Sequence, residues 1–240
     1  MLSAAPPTQT DKWLIIATVF GAVVVLWVLA AVYEKRRKRL LGERLSAAGF
    51  TPTLDPSPIE KSDAFGALGT LRSLRTGDRG VVWLARGAVN GRDVLLVEHR
   101  YTTGSGKNRQ VHIHSIAATP APGTWPGVRL VEEGFFHKVA DFFGKTDLKV
   151  ESEAFNKRWR IGGDDAEFAV LLLSPEVQAW GMTLPRGLQV HIGHGAICVV
   201  RRTRLDAQRV LELSSLAAGL SAMLPAELAA WQRGGQNAGA

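Results

Sequence analysis

The stretch that most constrains this chain is Trp13 to Tyr33, which contains no Asp, Glu, Lys, Arg, His, Asn, Gln or Pro. As a helix rising about 1.5 Å per residue it reaches roughly 30 Å, the depth of a bilayer's hydrocarbon layer. Its Val and Ile residues favour strands in water, but a lone strand in lipid leaves its edge amides unpaired. Helix is therefore the state this stretch dictates in a membrane. The hydroxyl of Thr18 can bond back to a preceding carbonyl without a second segment. Trp13 and Tyr33 sit at the two ends, where aromatic rings settle among headgroups, and Trp27 lies deeper, against lipid or another helix. These three residues form the predicted anchor.

Lys35, Arg36, Arg37, Lys38 and Arg39 follow at once. A cleaved signal peptide would start positive and carry a shorter apolar core. Here Asp11 and Lys12 cancel, the core is long, and a basic run stands directly beyond Ala30 and Ala31. The positive flank stays in the cytoplasm, which predicts a single-pass protein of the inner (plasma) membrane, N-terminus outside and C-terminal domain inside. The same five cations are the predicted contact for anionic lipid headgroups, each gaining about 1 kcal/mol at an anionic leaflet.

The basic balance does not point to nucleic acid. The chain has 29 Lys plus Arg against 22 Asp plus Glu, a net +7. Residues 34–44 alone hold six basic and two acidic residues, so the rest of the chain is only mildly basic and no specific nucleic acid partner is expected. Cys198, the one cysteine, has no intrachain partner for a disulfide and reads as a small apolar filler in Ala196 to Val200.

The expected organisation is a disordered tail over 1–12, a transmembrane helix over 13–33, a basic juxtamembrane segment and Pro-rich linker over 34–58, a cytoplasmic domain over 59–231 and a disordered tail over 232–240. The helix is expected to run on in water to about Leu45 and to end at Gly49. A weak helical pattern occupies Ile59 to Arg75. Gly80 to Ala88, the turn Asn90-Gly91 and Asp93 to Tyr101 form a hairpin signal, because Asn-Gly reaches positive φ at low cost. Gln110 to Ala117 gives a third strand, with Val111 and Ile113 predicted on its inner face. Val128 to Glu132 reads as a strand, Glu132 and Glu133 as a solvated turn, and Phe135 to Phe143 as a short helix. Leu148 to Glu151 and Lys157 to Ile161 read as strands around a turn at Ala154 to Asn156. Asp164 or Asp165 caps a helix from Ala166, and Ser174-Pro175 starts another. Strands at Leu188 to Ile192 and Ala196 to Arg202 precede an amphipathic helix from Asp206 to about Met223, and Pro225 begins a short helix to Trp231. Strands and helices in this order argue for an α+β domain with antiparallel strands and packed helices.

No arrangement of residues carries chemistry by itself. His112 and His114 share a strand face and His191 and His194 flank a turn, yet neither a Cys pair nor a His-Glu-x-x-His pattern supports a metal. Asp164, Asp165 and Glu167 are explained by capping and by negative charge in a first helical turn. Thr103 to Lys107 lacks the first Gly of a phosphate loop, and Asn108 stands where Ser or Thr would hold magnesium. No catalytic residue, metal ligand or cofactor is assigned. Lys157, Arg158 and Arg160 around Trp159 remain as a candidate recognition patch, since basic residues interleaved with an aromatic can meet headgroups or stack on bases.

Gly91-Arg92 with Val94 to Val97 and Tyr101 resembles the first landmark of an uncharacterised family of actinobacterial-type single-pass membrane proteins. The second landmark is resembled by Phe155-Asn156-Lys157-Arg158-Trp159, then Asp164-Asp165, Phe168-Ala169, Leu171-Leu172, Pro175 and Trp180. Trp159 stands where relatives usually place Phe. The resemblance covers about residues 75–225 and implies a membrane anchor followed by a cytoplasmic domain of unknown function, with no activity attached to any residue. The expected role is a membrane-tethered binding, scaffold or regulatory domain that meets an unidentified membrane or cytoplasmic protein. The alternatives are a membrane-anchored enzyme with a His/carboxylate site and a sensor of anionic lipid.

Overall fold

The computed structural model describes residues 9–53, 79–122, 124–133 and 147–231. The chain separates into two compact units, residues 1–44 and 45–240. The first is built on helix α1, Gln9–Ala47, which is long and apolar enough to cross a membrane and whose most apolar stretch is wholly unburied. Thr18 Oγ1 donates to Leu14 O at 2.8 Å, so the hydroxyl in the apolar run is satisfied locally. At the helix end Gly49 takes φ +82°, and Phe50 N donates to Leu45 O at 2.8 Å, closing the last carbonyls.

The second unit is α+β. Its sheet contains β1 (Thr51–Thr53), β2 (Arg79–Val89), β3 (Arg92–Thr103), β4 (Gln110–Pro120), β5 (Val128–Glu132), β6 (Asp147–Leu148), β7 (Trp159–Gly163), β8 (Leu188–Gly193) and β9 (Ala196–Arg201). Their spatial order is β1-β2-β3-β4-β9-β8-β5-β7-β6, and every listed neighbour pair is antiparallel. Asn90 and Gly91 both have positive φ, +51° and +74°, which turns β2 tightly into β3. Val94 to Val97 are buried throughout, as a strand covered on both sides requires. The helices expected over Ile59 to Arg75 and Phe135 to Phe143 lie outside the described residues.

Helices α2 (Glu153–Arg158), α3 (Ala166–Leu172), α4 (Pro175–Thr183) and α5 (Ala207–Met223) complete the fold. Ser152, Asp165, Ser174 and Asp206 cap them in order, each side chain accepting the N–H three residues on. α5 packs along β4, β9, β3 and β2. The opposite parity of β3 and β4 enters a second core, in which Leu84, Leu95, Val97, Tyr101, Ile116, Ala118, Ala196, Cys198 and Val200 meet.

Three local expectations are corrected. Val111 and Ile113 do not anchor the inner face of β4: Val111 is 47% exposed, and His114, Ile116 and Ala118 face the core. β9 pairs with β4 only from Ser115 to Pro120, so Val111 and Ile113 lie beyond the covered part of the strand. Ala154 to Arg158 is a helix and not a turn entering a strand, because Ser152 Oγ accepts Phe155 N at 3.2 Å. Asn156 steadies the approach by bonding both Val150 N and Val150 O. Glu132 is not solvated; it is 4% exposed at the end of β5.

Candidate functional site

α2 ends where β7 begins, and this junction places the predicted patch. Trp159 is 1% exposed and serves as a core ring, with Nε1 donating to Gly181 O at 3.1 Å and Phe155 at its side. Arg158 lies over that ring, its guanidinium carbon 5.2 Å from the centroid. It donates to Glu132 Oε1 at 3.3 Å and to the carbonyls of Met182 and Leu184. Glu132 Oε2 accepts Gly187 N at 2.8 Å, so one buried carboxylate joins β5, α2 and the turn before β8. Lys157 pairs with Glu153 at 3.0 Å and Arg160 with Glu133 at 2.8 Å. The patch thus presents balanced charge at its rim and keeps its aromatic inside.

Two adjoining open grooves flank it. One, of about 640 Å³, is lined by Glu132, Glu133, Lys157, Arg158, Met182 and Arg186, among others. The other, of about 390 Å³, runs past Leu148, Lys149, Asn156 and Arg160. Both signs of charge line the first, and the second sets Lys149, Lys157 and Arg160 about Glu133. Such a surface suits a partner that also carries both signs of charge, since complementary potentials set register and specificity.

Apart from the buried His191, the described histidines fall in two places. His194 takes φ +48° in the β8–β9 turn, exposed, with Nε2 at 3.0 Å from Asp164 Oδ2; that same oxygen accepts Gly127 N at 3.1 Å. His99, His112 and His114 gather around Tyr101 on the paired strands β3 and β4. The Tyr101 ring is nearly parallel to His112 and His114, with centroids 4.8 and 5.3 Å away. Burial and Arg202 press the His114 pKa down to about 3, and burial with Arg129 does the same for His191, also to about 3. Glu98, beside His99 in sequence, points to the other face and accepts Leu205 N at 2.8 Å. Among the described residues no group of three His, Cys, Asp or Glu is placed to hold a metal ion. Cys198 is wholly buried, and burial pushes its thiol up to about 12, away from the thiolate a nucleophile needs.

The predicted anchor residues Trp13, Trp27 and Tyr33 are all exposed along α1. In the basic collar Arg37 bonds Glu34 at 2.8 Å and Arg39 approaches Glu43 at 3.3 Å, while Lys35 and Arg36 extend from the exposed helix surface.

No family model matches the chain, and no curated protein matches its sequence. The architecture is similar to the crystal structure of the mycobacterial trehalose monomycolate transport factor A, TtfA. The likeness is one of fold. It has a TM-score of 0.50 at 13% sequence identity and covers 79% of this chain and 95% of that one.

Sequence reasoning singled out Lys157 to Arg160 but missed Glu132, Arg186 and Arg202 as parts of these sites. No local spacing signals them, because each meets its neighbours across strands or turns far apart in the chain.

Proposed function

We propose that this protein is a membrane-tethered accessory factor whose α+β domain binds a protein partner of a membrane transport process and does not itself transform a substrate. The observation that carries the reading is the combination of a helix able to span a membrane with a domain whose fold is similar to that of a transport factor. The mixed-charge grooves around Lys157, Arg158 and Arg186 supply a surface for that partner. α1 supplies concentration, since confining two partners to one membrane makes even a weak contact effectively intramolecular. The reading extends to membership in the actinobacterial-type family of single-pass proteins, with the domain in the cytoplasm and the Lys35 to Arg39 collar on anionic headgroups.

The test is purification of the full chain from detergent-solubilised membranes, beside a variant carrying Lys157→Glu and Arg186→Glu. Recovery of one stoichiometric membrane complex with the parent and its loss with the folded double variant is the expected result. A parent chain recovered without any stoichiometric partner, or a complex indifferent to both substitutions, would overturn the assignment.

A further inference from the structure

Arg202 follows directly on β9, one position past the pair Ser115–Arg201, so it emerges beside His114 at the covered end of β4. Its Nε is buried and has no hydrogen-bond partner, and no ion pair to it occurs among the described residues. Every other group described at this corner can donate. His114 is 5% exposed with a buried, unpartnered Nδ1. Tyr101 brings a phenol against the two imidazoles, and His112 is fixed in place by Thr103 Oγ1 at 2.7 Å from Nε2. The carboxylate nearest in sequence, Glu98, is committed to Leu205 N on the other face.

A guanidinium N–H left without an acceptor and a buried imidazole nitrogen left without a partner are costly, because burial removes water without replacing its hydrogen bonds. Three strands converge here on groups able to donate, and among the described residues nothing accepts from Arg202 Nε. Arg202 also acts electrostatically on Tyr101, His112 and His114, so its charge lies within reach of all three rings.

We infer that Arg202, His114 and Tyr101 form a binding site for a small tetrahedral oxyanion of the phosphate class, either free phosphate or the phosphate of a monoester. The guanidinium offers a planar fork matched to two phosphate oxygens, and the imidazole and phenol offer single donors from the side. A tetrahedral ion has oxygens for all of these at once, whereas the fork alone would exhaust a carboxylate. This site is separate from the α2 groove and does not depend on the partner proposed for it.

The experiment is calorimetric titration of the full chain in detergent, at constant ionic strength, with inorganic phosphate in one arm and glycerol phosphate in the other. One saturable site is expected. Arg202→Gln should weaken it at least about tenfold, the size of loss that removal of a bidentate charge-assisted pair produces. Arg202→Lys, which keeps the charge and loses the fork, should fall between, and Lys107→Gln on the exposed β3–β4 loop should bind like the parent. Binding of glycerol phosphate alone identifies a monoester as the source, and equal binding of both identifies the phosphate group itself. The inference fails if neither ligand saturates, if Lys107→Gln loses as much as Arg202→Gln, or if both Arg202 variants retain parental affinity while keeping the parental thermal melt.

Discussion

At the scale of single residues, His191 shows what the second core costs. Both of its ring nitrogens are buried without a hydrogen-bond partner, and its pKa is held at about 3 against an ordinary 6.5. Above about pH 6.5 the imidazole is neutral folded or unfolded, and its protonation does not affect stability. As pH falls from 6.5 toward 3 the unfolded chain takes up a proton that the folded chain refuses, so stability drops by up to about 1.4 kcal/mol per pH unit for each such group. His114 adds to the same slope. His191→Leu should therefore flatten the acid limb of a stability–pH curve and raise stability at pH 5 by about 1 kcal/mol or more, because it deletes an unsatisfied buried group. Denaturant melts between pH 4 and 8 provide the check. The shared face of His112 and His114 was legible from two-residue alternation. The burial of Glu132 was not, since Arg158 and Gly187, which bond its carboxylate, lie far along the chain and are invisible to local spacing.

Among the secondary-structure elements, hairpins and caps declared themselves and cross-sheet pairings did not. Asn90-Gly91, Ser152, Asp165, Ser174-Pro175 and Asp206 are chemical signals confined to a few neighbouring residues. Of these, Ser152 carries no expectation in the sequence, and Asp206 stands there as the first residue of its helix and not as the cap. The insertion of β9 between β4 and β8 joins strands that lie some eighty positions apart, and it decides which part of β4 is covered. The β8–β9 hairpin that makes this junction turns on Gly193, whose φ is +114° and where a Cβ would collide with the Pro126 carbonyl. His194 N then bonds Trp125 O at 2.9 Å, and Trp125 Nε1 reaches Leu228 O at 2.8 Å, so the turn is tied to the loop before β5 and to the C-terminal end of the domain. Gly193→Ala should destabilise the domain by at least about 2 kcal/mol, combining backbone strain with displacement of that loop. Gly91→Ala lacks the second penalty, since nothing lies within 4 Å of its added Cβ. A comparison of denaturation midpoints should rank Gly193→Ala well below Gly91→Ala.

For the whole molecule the proposed tethering turns on which side of a membrane would hold the domain. A helix able to span was legible because lipid imposes a length and polarity requirement that α1 meets without help from the rest of the fold. Its direction rests on the asymmetry between Asp11 with Lys12 and the run Lys35 to Arg39, and that asymmetry predicts a cytoplasmic domain. The chain is well suited to a labelling test, since its sole thiol, Cys198, is wholly buried and held protonated, and will stay silent toward a maleimide while the domain is folded. Lys107→Cys adds one exposed thiol in the β3–β4 loop. In sealed cells an impermeant maleimide should leave this variant unmodified, and it should label fully once the membrane is opened without unfolding the protein. Labelling before opening would put the domain outside. The Lys35 to Arg39 collar would then face the wrong leaflet for cytoplasmic anionic lipid, and the search for a transport partner would move to the external side.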